Sequence, residues 1–416
     1  IATVLMATMY TFMIFGLAEL SSSLPTAGGG YSFARRAMGP WGGFLTGTAI
    51  LLEYTIAPAA IAVFIGGYIN ELTGFSGPAI YAGFYLVFVG IHLFGVGEAL
   101  KIMMVITSIA VIALLVFAIG LIPHFDYNNL FDIAVNEQAV GSSSFLPQGY
   151  VGIWSAIPFA IWLFLAIEGV PLAAEETANP GKDMPKGIIT AMAILLIFAG
   201  VVLVLAPGVA GSELMKDHGA PLVGALQVAY GENSAIATFV NVVGLFGLTA
   251  SFFSIIFAYS RQVFALSRAG YLPRFLSVTG SRKVPTWSLI IPGIIGFGLS
   301  STGQGDLMIT MAVFGATISY ALMMLSHILL RIREPELERP FRTPGGVFTT
   351  GVALLLSLVA FASTFVVSLE SALWAGVFYA VLLAYFVLYS RHHLVAKSPD
   401  EEFALITGAE NELNLD

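Results

Sequence analysis

The chain's 42 charged residues and six histidines fall mostly in short polar stretches, so the few ionisable groups inside long apolar runs are the first candidates for chemistry. Glu53 stands in "ILLEYTIAPAA", His92 in "GIHLFG", Glu168 in "WLFLAIEGVPLAAEETANP" and His327 in "MLSHILLRIR", while Glu19 and Lys101 lie near the ends of such runs. A carboxylate at the centre of a membrane helix costs about 2.5–3.5 kcal/mol, so it should face a partner or a cavity. For Glu53 and His92 the simpler reading is a hydrogen bond buried between helices. His327, just before Arg331, reads as interfacial. Glu168 differs because the backbone around it is interrupted as well: Pro158 and Pro171 remove donors, and Gly169 is a poor helix former. Unwound backbone at membrane depth is tolerated where protein or a water-filled cavity satisfies it, and transporters bind substrates and ions at such breaks. Trp154, Phe159, Trp162 and Phe164 precede the carboxyl. Each ring alone is explained by membrane packing, but together with a carboxylate they suit an ammonium group. Glu168 is therefore expected to take either a cationic substrate or a proton.

Other chemistries find little support. "AGGGYSF" (27–33) is glycine-rich but follows no strand, so it reads as a flexible turn rather than a phosphate cradle. No Ser/His/Asp or zinc-protease pattern is present, and nothing names an enzyme. With no cysteine, disulfides, thiol redox chemistry and cysteine metal sites are excluded. The histidines lack metal-ligand spacing, so no metal or cofactor is expected. No basic patch suggests nucleic acid, and the net charge of −8 says less than where the charges lie.

The elements that must position these residues follow from composition. Hydrophobic residues make up 57% of the 416 and charged residues 10%, against about 25% charged in ordinary soluble domains, and the mean hydropathy is +0.89. This is an all-α integral membrane protein. A bilayer core of about 30 Å needs about 20 apolar residues per helix. Eleven spans are predicted, at roughly 1–22, 41–70, 77–96, 102–123, 150–174, 187–210, 233–266, 285–300, 305–330, 347–367 and 371–390. They are apolar on all sides and too long for barrel strands. They form a single transmembrane domain, 1–390, followed by a polar tail, 391–416. Of the 17 Lys and Arg, all but Lys216 fall on one side of this topology, which the positive-inside rule makes cytoplasmic, together with the tail. The protein is expected to be multi-pass in the cell (plasma) membrane, with lipid around it. The two long external loops, about 124–149 and 211–232, read as solvated caps. Ile1 opens inside an apolar run with neither a Met nor a signal-peptide pattern, so the chain reads as a fragment lacking its N-terminus.

Four stretches carry a resemblance. "PFAIWLFLAIEGVPLAAEETANPGKDMPKGI" (158–188) resembles the sixth helix and following loop of the amino acid–polyamine–organocation permeases. "ELSSSLPTAGGGYSFARRAMGP" (19–40) is similar to their loop after the second helix. "SRQVFALSRAGYLP" (260–273) with Val284-Pro285 resembles the loop after the eighth, and "LRIREPELERPFRTPGG" (330–346) that after the tenth. The order is right and nearly the whole chain is covered. The resemblance implies two inverted repeats of five helices followed by two more. The first segment here would match the family's second helix, so the broken first helix that completes the site is expected to be missing.

Within the family, "IPFAIWLFLAIEG" looks most like bacterial ethanolamine permeases. That resemblance implies a secondary transporter importing a small amine, most simply ethanolamine, by alternating access; the alternative is an amino acid permease or exchanger of the same fold. It also implies the site. Trp162 would face the substrate, with Phe159 and Phe164 in the same aromatic half-helix. Ala166 and Ile167 would form the unwound linker, and Glu168 would be the central acid. Thr55, Pro58 and Ala59 would line the opposite wall, and Ser251 and Ser254 the floor or a cation site. Two departures stand out. Ala166 occupies a place where the family often has Gly, which implies a stiffer linker or tighter pocket. A Lys that some proton-coupled relatives carry on the fifth helix is matched by Ser108, which leaves H+ at Glu168 or Na+ near Ser251 and Ser254 as the coupling ion.

Overall fold

The computed structural model describes residues 1–395 apart from 27, 217, 233 and 281–283. Most of the polar tail, with Lys397, therefore lies outside the described residues, as do Arg282 and Lys283. Among the described residues the fold is all-helical. In chain order the helices are α1 (Ala2–Ser23), α2 (Gly30–Thr73), α3 (Pro78–Phe94), α4 (Val96–Leu121), α5 (Gly149–Trp162), α6 (Pro180–Ala210), α7 (Ser212–Met215), α8 (Pro221–Tyr230), α9 (Ala235–Arg268), α10 (Thr286–Ser300), α11 (Gly305–Arg333), α12 (Val347–Val367) and α13 (Leu369–Leu388). Nine helical segments among them are long and apolar enough to cross a membrane.

Two of the eleven predicted spans fall short of that length. The run 77–96 forms α3, 17 residues, bounded by Gly77 and by Gly95 in a conformation (φ 139°) that side chains avoid. The run 285–300 forms α10, 15 residues, with Pro292 inside it. At 1.5 Å per residue they reach about 26 and 23 Å, less than the hydrocarbon thickness of about 30 Å. Conversely, α2 starts well before residue 41. It runs through a kink at Gly39 (φ 72°, ψ −160°) that Pro40 makes necessary by removing a donor. The loop 211–232 is also more than a solvated cap. It carries α8, whose Val223, Ala225 and Leu226 are buried in a satellite core with Phe117, Leu121 and Val240.

Burial separates centre from rim. The apolar window of α2 is 83% buried and that of α11 72%, whereas those of the 101–124 segment and α6 are each 11% buried and lie at the rim. The two central helices approach closely at Gly315, where a Cβ would stand 2.6 Å from the Ala49 carbonyl oxygen. Small residues permit such contacts between membrane helices, where dispersion and backbone proximity replace the hydrophobic effect.

At the end of the bundle where Lys and Arg collect, α1, α11 and the loop after α11 are joined by buried charge. The Glu19 carboxylate accepts from Arg331 Nε (2.7 Å) and the Thr343 backbone N–H (2.7 Å), and pairs with Arg339 Nε (3.0 Å) and His327 Nε2 (3.2 Å). His327 is 1% exposed and also contacts Thr350 Oγ1 at 3.0 Å through Nδ1, so it is a core residue rather than an interfacial one. Its place in a hydrogen-bonded network makes its burial tolerable.

Candidate transport site

The predicted break in the fifth span is present. After α5 ends at Trp162 the chain turns, places Ala166 in the left-handed region (φ 73°, ψ 4°), and resumes as a 3-10 helix over Ile167–Glu176. Ala166 is the only non-glycine with positive φ among the described residues. A left-handed L-residue costs roughly 1–2 kcal/mol, so surrounding packing must hold it there. Such a discontinuity leaves carbonyls at the end of one helix and N–H groups at the start of the next without intrahelical partners. Tyr10 of α1 covers part of the gap, its hydroxyl 3.4 Å from the Ile161 carbonyl oxygen.

Beside the break lies a cavity of about 470 Å³, within the range of about 300–1,000 Å³ usual for small-molecule sites. One wall is the break, with Trp162, Ala166, Ile167 and Gly169. A second is α2, with Ala57, Ile61 and Phe64, and a third is α9, with Ser251, Ser254 and Phe257; Met103 of α4 closes it further. Trp162 and Phe64 meet edge to face, centroids 6.3 Å apart. No charged side chain is among the described lining residues. Ser254 donates to the Ala250 carbonyl (2.8 Å), leaving its oxygen able to accept. Ser251 has no partner among the described residues.

Of the residues named from sequence, Trp162, Ala166, Ile167, Ser251 and Ser254 line this one cavity. Three expected wall residues do not. Thr55, Pro58 and Ala59 are buried away from the cavity, because at 100° per residue Thr55 and Ala59 lie on the opposite side of α2 from Ala57, Ile61 and Phe64, and Pro58 a quarter-turn round. The two flanking phenylalanines are also displaced. Phe159 is 44% exposed on the outer face of α5, and Phe164 is buried against Tyr10, centroids 5.4 Å apart.

Glu168 is turned away from the cavity that its neighbours Ile167 and Gly169 line. It is 2% exposed, and its carboxyl points between α2 and α11. Tyr54 donates to Oε1 (3.2 Å) and Tyr320 to Oε2 (3.1 Å), and Tyr10 in turn donates to the Tyr320 hydroxyl (3.0 Å). The remaining neighbour is Glu53, fully buried, whose carboxyl lies within hydrogen-bond reach of that of Glu168. The Glu53 oxygens have no donor from any other described group. Two carboxyl groups buried close together away from water repel strongly when both are charged. From sequence alone Glu53 reads as a hydrogen bond buried between helices. The signal that joins it to the site is its spacing: Glu53, Ala57, Ile61 and Phe64 follow i, i+4, i+8 and i+11, one face of one helix. Nothing in the sequence marked Tyr320, which reaches the carboxyl from 152 residues away, or Tyr10, which bonds the Tyr320 hydroxyl behind it.

Comparison with known proteins decides the family. A family model described as "Amino acid permease" matches residues 1–388. The chain belongs to the amino acid permease family. It is 29% identical to a branched-chain amino acid permease, BcaP, of Bacillus subtilis, over 94% of this chain and 86% of that protein. It is 28% identical to a methylthioribose transporter of the same organism, over 91% and 83% of the two chains. A BcaP of Lactococcus lactis is 24% identical over 92% and 85%. This permease is thus a multi-pass membrane transporter and not an enzyme.

Proposed function

We propose that this permease is a secondary transporter that carries a small amino acid with an apolar side chain across the cell membrane by alternating access, coupled to protons. The observation that carries the substrate reading is the cavity itself. Among the described residues its lining is aliphatic and aromatic, its polar contribution is limited to two serines and the broken backbone, and no carboxylate lines it. An apolar side chain fills such a wall and gains about 25 cal/mol for each Å² removed from water. In this reading its amino end is held by carbonyls at the end of α5 that have no α-helical donor, a contact that discontinuous helices offer charged substrates. The similarity to branched-chain permeases supports the same class. Ethanolamine, the first expectation from sequence, has no side chain to fill this wall, and the carboxylate meant for its ammonium is engaged with two tyrosines and Glu53. It is the competing substrate, resting on the face of Trp162.

The coupling reading rests on Glu53 and Glu168. A shared proton that leaves or joins the pair as the break opens would tie the backbone's conformation to the protonation state of one site. The five-plus-five inverted repeat and a cytoplasmic C-terminus complete the reading; the clustering of Lys and Arg supports the latter. A thermal-shift screen of leucine, isoleucine, valine and ethanolamine on the purified protein tests the substrate class. A ligand at 100 times its Kd stabilises the folded state by about 2.7 kcal/mol. The branched amino acids should raise the midpoint and ethanolamine should not; the reverse pattern overturns the assignment.

A further inference from the structure

A second concavity lies at the basic end of the bundle, apart from the transport cavity. It is a groove of about 400 Å³ between the first turns of α6 and the loop after α11, with Lys182, Lys186 and Thr190 on one side and Pro340 and Phe341 on the other. The two sides are packed together at Gly181, where a Cβ would stand 3.4 Å from Pro340 Cγ. Lys182 and Lys186 are four residues apart on one helical face, both exposed, and neither meets a carboxylate among the described residues. Asp183, the acidic residue of that turn, is exposed and does not line the groove.

The same face continues up α6 as an exposed, mainly apolar strip. Thr190, Ala193, Ile197, Gly200 and Val204 are all exposed at spacings of three and four, and Ile194 flanks them. From Lys186 to Ile197 is 11 residues, about 16 Å along the helix, which matches one leaflet's share of a hydrocarbon core of about 30 Å. Charge is thus concentrated at one end and bare apolar surface extends for one acyl-chain depth beyond it. A free anion would use only the lysines; a lipid uses both parts.

We propose that this groove holds one anionic phospholipid, with its phosphate between Lys182 and Lys186 and an acyl chain laid along the Thr190–Ile197 face. The lipid would brace α6, which directly follows the broken helix, against the loop whose Arg339 and Thr343 hold Glu19. Lysines that merely extend toward the interface are the alternative, and they would show no preference for a retained lipid.

The test uses the full chain, delipidated in neutral detergent and offered equal amounts of phosphatidylglycerol and phosphatidylcholine, with bound lipid read by native mass spectrometry. Wild type should retain phosphatidylglycerol selectively. Each lysine near an anionic headgroup is worth about five-fold, so the K182Q/K186Q variant should lose about 30-fold in retention while K182R/K186R keeps it. Thermal midpoints of the variants confirm folding. Equal retention by K182Q/K186Q overturns the proposal. So does phosphatidylcholine binding as well as phosphatidylglycerol to wild type, or displacement of the lipid by millimolar inorganic phosphate, and these two arms need no variant.

Discussion

Gly169 offers the sharpest test of how Glu168 is held. A Cβ built there would lie 3.0 Å from the Tyr54 hydroxyl and 3.7 Å from its Cζ. The hydroxyl must then shift by a few tenths of an ångström, and its bond to Glu168 Oε1, already 3.2 Å, has little length to spare. Gly169→Ala should therefore cost the hydroxyl–carboxyl hydrogen bond, about 1.5–3 kcal/mol when the acceptor is charged. Tyr54→Phe removes the same bond and also the clash, since the ring carbon stands at ordinary contact distance. In that background Gly169→Ala should be neutral, or stabilising by about 0.4–1 kcal/mol through the unfolded chain's reduced freedom. The two substitutions should thus be non-additive by about 1.5 kcal/mol or more, well beyond the 0.3–0.5 kcal/mol scatter of independent sites. Unfolding free energies of the four proteins, from SDS titration in mixed micelles, give the cycle. Additive effects would refute the contact and with it the placement of Glu168.

Other outcomes follow from the same geometry. Ala166→Gly relieves a left-handed alanine and should stabilise by up to about 1 kcal/mol, read in the same titration; a loss of stability would contradict the φ of 73°. Glu19→Gln removes the carboxylate from Arg331, Arg339 and His327 and should cost about 3–5 kcal/mol, since the charges left behind are unpaired; a folded yield equal to wild type would contradict it. Glu53→Gln replaces the shared proton with a permanent amide donor. Uptake driven by an inward proton gradient should vanish while substrate exchange at equal pH persists, and unchanged gradient-driven uptake would remove Glu53 from the coupling. Ser251→Ala and Ser254→Ala, at the cavity wall, should change the apparent KM for uptake without altering the midpoint of the unliganded protein.

That the fifth span is broken was legible because proline, glycine and a carboxylate coincide in one apolar run, a local signal, but the turn lies at 163–166, ahead of the Glu168–Gly169 pair where the sequence puts it. The same holds for the basic end of the bundle, where the Lys and Arg residues are grouped in short loops. What sequence did not disclose is azimuth. Thr55, Pro58 and Ala59 were carried over as a wall by resemblance, and the helical period of α2, reckoned from Glu53, would have chosen Ala57, Ile61 and Phe64 instead. Glu168 was read as facing the substrate because its run is broken there. Its orientation depends on Tyr54, Tyr320 and Glu53, which only the packing of α2 and α11 brings together. His327 likewise gives no sign in sequence that Glu19, 308 residues away, fixes it in the core. The run 77–96 overstates α3 by three residues because hydropathy does not see where Gly77 and Gly95 end the helix, whereas the run 285–300 already has the short length of α10.

The central claim is that a small amino acid with an apolar side chain passes through the cavity beside Trp162. Counterflow measures this directly: proteoliposomes loaded with unlabelled leucine are diluted into labelled leucine, and the label inside is followed with time. The account requires transient accumulation of label in wild type and its loss in Trp162→Ala that still folds. Absence of leucine counterflow alongside robust ethanolamine counterflow would contradict it.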